Sequence, residues 1–134
     1  MEPLVVFSIH DGVGVVTIHN PPVNALNSGV LEGLKTAFHA LERDVGARAI
    51  VVIGGGRTFV AGADINQFVE IISGRAAMPA FHPLLDAIEG CGKPVVMAIH
   101  GTALGGGLEL AMAGHYRVAT RDAQVGQPEV KIGL

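Results

Sequence analysis

Pro94-Val95-Val96-Met97-Ala98-Ile99-His100-Gly101-Thr102-Ala103-Leu104-Gly105-Gly106-Gly107-Leu108-Glu109-Leu110 is the stretch on which the reading of the fold turns. It opens with an apolar run of strand length, entered through a proline that cannot donate to a ladder. A run without polar alternation suits a strand covered on both faces. A glycine-rich turn follows from Gly101 to Gly107, and then a helical pattern through about Ala113. Strand, turn and helix in that order form the repeating unit of an α/β protein.

The same unit recurs outward from this stretch. Ala49-Ile50-Val51-Val52-Ile53 is a second buried-strand run, closed by Gly54-Gly55-Gly56. Before it, Val30, Leu31, Leu34, Phe38 and Leu41 recur at spacings of three and four. They predict a helix that starts at Asn27 or Ser28, either of which can cap it. Two β-rich runs, Leu4 to Ile9 and Val13 to His19, flank His10-Asp11-Gly12, and Asp-Gly is a hairpin signal. Asn20-Pro21-Pro22 stops the second run. A helix is expected to begin near Asp64, and another to carry Phe81, Leu84, Leu85 and Ile88 on one face. Short strands are expected at Tyr116 to Ala119 and Gln124 to Gly126. The alternation implies crossover connections and a largely parallel sheet within one domain over residues 1–134.

Composition narrows the function. Glycine supplies 19 of 134 residues and charged residues only 16%, while the hydrophobic set reaches 49%. Disordered polyelectrolytes have the opposite balance. A net charge of −3 with no Lys/Arg cluster argues against a nucleic-acid partner. The least charged stretch, Asp11 to Glu32, is interrupted by His19, Asn20, Pro21 and Pro22, so no membrane span is expected. Cys91 is the single cysteine, which fits a reducing compartment, and Glu2 stands where a secretory signal would be positive. A cytoplasmic location is the expectation.

Several motifs fail on their spacing. Gly54-Gly55-Gly56-Arg57-Thr58-Phe59 ends in Phe59 where a dinucleotide fingerprint needs glycine, and Gly92-Lys93 is followed by Pro94 rather than a P-loop hydroxyl. The six histidines show no metal-ligand spacing, no nucleophile elbow is present, and Cys91 reads as a packed small residue. No metal site is expected.

Two glycine-rich turns remain: Phe59-Val60-Ala61-Gly62-Ala63-Asp64-Ile65 and Gly101 to Leu110. Small residues let a ligand approach the backbone, and a helix N-terminus presents unpaired N–H groups with a positive dipole. Two such groups aimed at one point make an oxyanion hole. The plainer alternative is that the glycines serve only tight turns and close packing. Glu109 lies early in an apolar helix with no obvious exposed flank, where a carboxylate must find partners or shift its pKa upward. Its alternative is a first-turn glutamate favoured by the dipole. Glu129, in Gly126-Gln127-Pro128-Glu129, is the second candidate acid.

Together, Asn20-Pro21-Pro22-Val23-Asn24-Ala25-Leu26, Ala61-Gly62-Ala63-Asp64-Ile65, Gly101 to Leu110 and Gly126 to Glu129 resemble the crotonase, or enoyl-CoA hydratase/isomerase, family, in the family's order. The helix Gly107 to Ala113 with Gly114-His115-Tyr116-Arg117 looks most like the hydratase part of multifunctional β-oxidation enzymes, in which a 3-hydroxyacyl-CoA dehydrogenase part follows. The resemblance implies a crotonase-like (ClpP/crotonase) α/β fold of repeated ββα units. It implies an acyl-CoA thioester as substrate, with no separate cofactor. Its oxyanion hole maps onto the N–H groups of Ala63 and Gly106, and its catalytic glutamates onto Glu109 and Glu129. Its substrate and CoA contacts map onto Ala25, Ala61, Ala63, Asp64, Ile65, Asn66 and Gly106. Asn66 stands where some members carry a lysine. Isomerases of the family tend to lack the first glutamate, so the implied activity is hydration of a trans-2-enoyl-CoA, with double-bond isomerisation as the alternative.

The family continues beyond the position of Leu134 with a Pro/Gly-rich segment and helices that cover the acyl pocket and build oligomers. The expectation is therefore the N-terminal portion of such a domain, self-associating or joined to a dehydrogenase part. An inactive fragment is the non-enzymatic alternative. A Clp-type peptidase, on the related fold, would need a serine where Leu108-Glu109 stand.

Overall fold

The computed structural model describes residues 2–61 and 81–127. The expected helix near Asp64 lies outside these residues. Strand β1 (Val5–His10) turns through Asp11 and Gly12 into β2 (Val13–Ile18), followed by helix α1 (Ser28–Arg43) and β3 (Ala49–Gly54). Helix α2 (Phe81–Glu89) precedes β4 (Val95–Ile99), β5 (Thr102–Leu104) and helix α3 (Gly106–Ala113), and the described chain closes with β6 (Tyr116–Ala119) and β7 (Gln124–Gly126).

The hairpin is set by its two loop residues. Asp11 and Gly12 both have positive φ, 51° and 84°, the conformation whose twist matches the flanking strands. His10 then faces Val13 and Val5 faces Ile18. Every later neighbour in the five-stranded sheet β1-β2-β3-β4-β6 is parallel from β2 onward. The register aligns Val16 with Val52 and Val52 with Met97, a row of fully buried side chains across three strands.

Helix α1 closes that face. Asn27 caps it by accepting from the Val30 N–H at 2.8 Å, one of the donors a helix start leaves unpaired. Its stripe Val30, Leu31, Leu34, Ala37, Phe38 and Leu41 is buried. At the other end the Lys93 ammonium donates to the carbonyls of Leu41 and Asp44 at 2.6 and 2.7 Å, a cation at the negative end of the helix.

Two expectations are corrected here. Strands β3 and β4 were expected to be covered on both faces. Ile50, Val52, Val95 and Met97 are fully buried, but Val51, Ile53, Val96 and Ala98 on the opposite face are half-buried among the described residues. The stretch Gly101 to Gly107 was expected to be a turn throughout. Instead Thr102–Leu104 form β5, which pairs in parallel with β7. Its other side meets Val60, which bridges Ala103 in parallel. Each of β3, β4 and β6 in the large sheet is thus followed by a short extended piece, Val60, β5 or β7, in a second layer, the doubled-strand repeat expected of ββα units.

Candidate active site

The site grows from Ala103, fully buried between Val60 and Val125. The Leu104 N–H donates to the Val60 carbonyl at 3.1 Å, and the Val60 N–H to the Thr102 carbonyl at 3.2 Å. On the other side Leu104 faces Gly126, and the Gly105 N–H donates to the Gly126 carbonyl at 2.9 Å. Because all three chains are parallel, they leave the layer at the same end. Ala61 follows Val60, Gly105 and Gly106 follow β5, and Gln127 follows β7. Three stretches separated widely in sequence are brought to one edge.

Helix α3 begins at that edge. Gly105 precedes it with φ 57° and ψ −120°, a backbone state open essentially to glycine. Gly106 is the first helical residue, so its N–H has no partner within the helix and carries part of the helix's positive end. Gly107 lets the helix settle on the chain beneath: a Cβ there would lie 2.2 Å from the Val60 carbonyl oxygen. The described side chains nearest Gly106 are apolar. A Cβ on it would meet Leu26 Cδ1 at 3.4 Å and Phe81 Cζ at 3.7 Å. A donor in such surroundings acts through less screening than one in water.

Leu26 belongs to a loop held by Asn24, whose part in the site the sequence reading missed. Asn24 is 1% exposed with φ 57°. Its Nδ2 donates toward the carbonyls of Gly55, Thr58 and Phe59 at 2.9–3.0 Å, and its Oδ1 accepts from the Asn20 N–H at 2.8 Å. The Ala61 N–H donates to the Val23 carbonyl at 2.9 Å, and the Ala25 carbonyl accepts from Asn20 Nδ2 at 2.8 Å. Ala25, Ala61 and Gly106 therefore meet at one edge. The available signal was Asn24 directly after Pro21-Pro22-Val23, since asparagine tolerates the left-handed conformation.

Glu109 corrects an expectation. It is exposed, not enclosed by apolar neighbours. Helix α3 buries Gly107, Leu110, Ala111 and Ala113 toward the layer, so Leu108, Glu109 and Met112 turn outward. With Leu85 and Glu89 from α2, and Gln127, they line an open groove of about 460 Å³. Glu129, Ala63, Asp64, Ile65 and Asn66 lie outside the described residues. Gln127, two positions before Glu129, is at the groove, its Nε2 3.5 Å from the Gly105 carbonyl.

Other candidates lie elsewhere. A cavity of about 500 Å³ between α1 and α2, lined by Lys35, Phe38, His39, Glu42, Pro83 and Leu84, includes none of the predicted site residues that lie among the described ones. Cys91 is buried, and that burial pushes its thiol up from the usual range, the state of a packed rather than a nucleophilic cysteine. His115 Nδ1 accepts from the Val95 N–H at 3.0 Å and its Nε2–H donates to the Glu89 carbonyl at 2.9 Å, tying α2 to the end of α3. Among the described residues no three His, Cys, Asp or Glu side chains gather as metal ligands, and no helix is long and apolar enough to cross a membrane.

Residues 8–134 match the family model described as enoyl-CoA hydratase/isomerase. The chain belongs to the enoyl-CoA hydratase/isomerase family. It is 47% identical over 125 residues to a protein of Bacillus subtilis named probable enoyl-CoA hydratase, covering 91% of this chain and 48% of that relative. It is 45% identical over 122 residues to the peroxisomal bifunctional enzyme of Danio rerio, covering 91% of this chain and 16% of the relative. The crystal structure of an enoyl-CoA hydratase from Thermoplasma volcanium superposes with a TM-score of 0.90 at 33% identity, over 99% of this chain and 54% of that one. The chain thus spans about half the length, or less, of these relatives. The crotonase-like α/β fold is the family's, and the described parts of the segments that carried the resemblance, residues 20–26, 61, 101–110 and 126–127, lie around the start of α3.

Proposed function

We propose that this chain carries the active-site core of an enoyl-CoA hydratase, which adds water across the 2,3 double bond of a trans-2-enoyl-CoA. The observation that carries the reading is the common exit of the Val60–Ala61, Gly105–Gly106 and Gly126–Gln127 segments beside the apolar start of α3. In this reading the N–H groups of Gly106 and Ala63 hold the thioester oxygen. They favour the enolate because negative charge gathers there only as the reaction proceeds. Glu109 orients the attacking water and takes its proton as oxygen bonds to C3. Glu129 delivers a proton to C2, so the product is the neutral 3-hydroxyacyl thioester. Exposure of Glu109 at the groove suits a group that must meet water. Ala25, Ala61, Asp64, Ile65 and Asn66 hold the CoA portion, and the chemistry calls for no further cofactor.

The test follows loss of the enoyl-thioester ultraviolet absorbance with crotonyl-CoA in the full-length protein. Hydration is expected, and Glu129→Gln is expected to reduce kcat by at least 100-fold, the usual reach of acid–base catalysis. A folded protein that converts a 3-enoyl-CoA to its 2-enoyl isomer but adds no water would replace hydratase with the isomerase reading.

A further inference from the structure

Helices α2 and α3 lie side by side and run in the same direction. Phe81, at the start of α2, places its ring Cζ 3.7 Å from where a Cβ on Gly106 would stand, at the start of α3. Glu89, at the end of α2, is bonded through its carbonyl to His115, just beyond the end of α3. The groove between the helices therefore has a direction. It opens at Leu108 and Glu109, in the first turn of the helix that Gly106 begins, passes Leu85, and reaches Met112 and the exposed Glu89. From Phe81 to Glu89 is about 12 Å along the helix at 1.5 Å per residue. A thioester held at Gly106 would send its acyl chain past Glu109 and along leucine and methionine side chains, with the Glu89 carboxylate at the far end.

Resting on the hydratase reading, we infer that Glu89 is a specificity-determining residue. Among enoyl chains long enough to reach it, it disfavours those ending in a carboxylate relative to those with an uncharged far end. The sign follows from charge alone. A second anion near Glu89 is repelled, whereas an apolar terminus is indifferent to it. The size is modest, because Glu89 is exposed and water and salt screen it.

The test compares kcat/KM for two trans-2-enoyl-CoA substrates of equal medium length, one ending in methyl and one in carboxylate, in the full-length protein. The carboxylate-to-methyl ratio is expected to rise about fivefold in Glu89→Gln, in line with about 1 kcal/mol for an exposed charge contact. It should rise further in Glu89→Lys. Added salt should raise the ratio more in the wild-type protein than in Glu89→Gln. Equal ratios in all three proteins, with the methyl-ended substrate turned over, would overturn this inference alone. No turnover of either substrate by the folded wild-type protein would overturn the hydratase reading and this inference with it.

Discussion

One of the two backbone N–H groups proposed to hold the thioester oxygen belongs to Gly106, where it can be removed cleanly. Proline is favoured at the first helical position, where its missing N–H costs no intrahelical bond. The space beside Gly106 admits extra atoms, since Leu26 and Phe81 stand 3.4 and 3.7 Å from an added Cβ. Gly106→Pro is therefore expected to fold and to lose 10²–10³ in kcat, about 2.7–4 kcal/mol. Gly106→Ala keeps the donor and should retain most of the activity. Steady-state kinetics with crotonyl-CoA, beside circular dichroism of both variants, checks the pair. Comparable kcat values in the two variants would remove Gly106 from the oxyanion hole.

At the scale of an element, the position of α3 depends on its second glycine. A Cβ at Gly107 would fall 2.2 Å from the Val60 carbonyl oxygen, and that oxygen accepts the Leu104 N–H. Neither partner can retreat without opening the β5 layer. Gly107→Ala is expected to destabilise by about 1–3 kcal/mol, the range for overpacking a close contact. It should also lower activity by moving the helix start. Urea titration measures the first effect, and a midpoint equal to that of the wild-type protein would show that α3 does not rest on Val60 as described. The elements were largely legible beforehand, because their signals are local: the three-four spacing of Val30 to Leu41, the Asp11-Gly12 turn and the Asn27 cap. Strand β5 was not legible. Three residues between glycines have no periodicity, and their strand character comes from Val60 and β7 on either side.

Over the whole molecule, stability against pH carries the signature of Cys91. The thiol sits in the core cluster, and burial, aided by Glu42 and opposed by Lys93, raises its pKa above the ordinary value of 9.0. A raised folded value means that the unfolded chain gives up its proton first as pH rises. The stability contributed by the neutral thiol is fully present below 9.0 and is lost as the pH climbs through the folded value. Cys91→Ala should therefore show a flatter alkaline limb in unfolding free energy measured from pH 8 upward, whatever its offset at neutral pH. An alkaline slope equal to that of the wild-type protein would assign the loss to other groups.

The chain's own residues determined the hairpin, the helices α1, α2 and α3, the parallel strands and the four segments that mark the family. Periodicity, caps and turn residues act over a few positions and can be read along a line. Tertiary structure alone decided that Glu109 faces an open groove, since α3 uses its small residues to pack and turns the carboxylate away. It alone placed Asn24 beneath the Gly55–Phe59 loop, through contacts spanning 31 to 35 residues. It also brought Glu89 into the groove that Leu108 and Glu109 line. Such pairings join residues tens of positions apart and follow from parallel register and helix packing, for which no short stretch of sequence carries a mark.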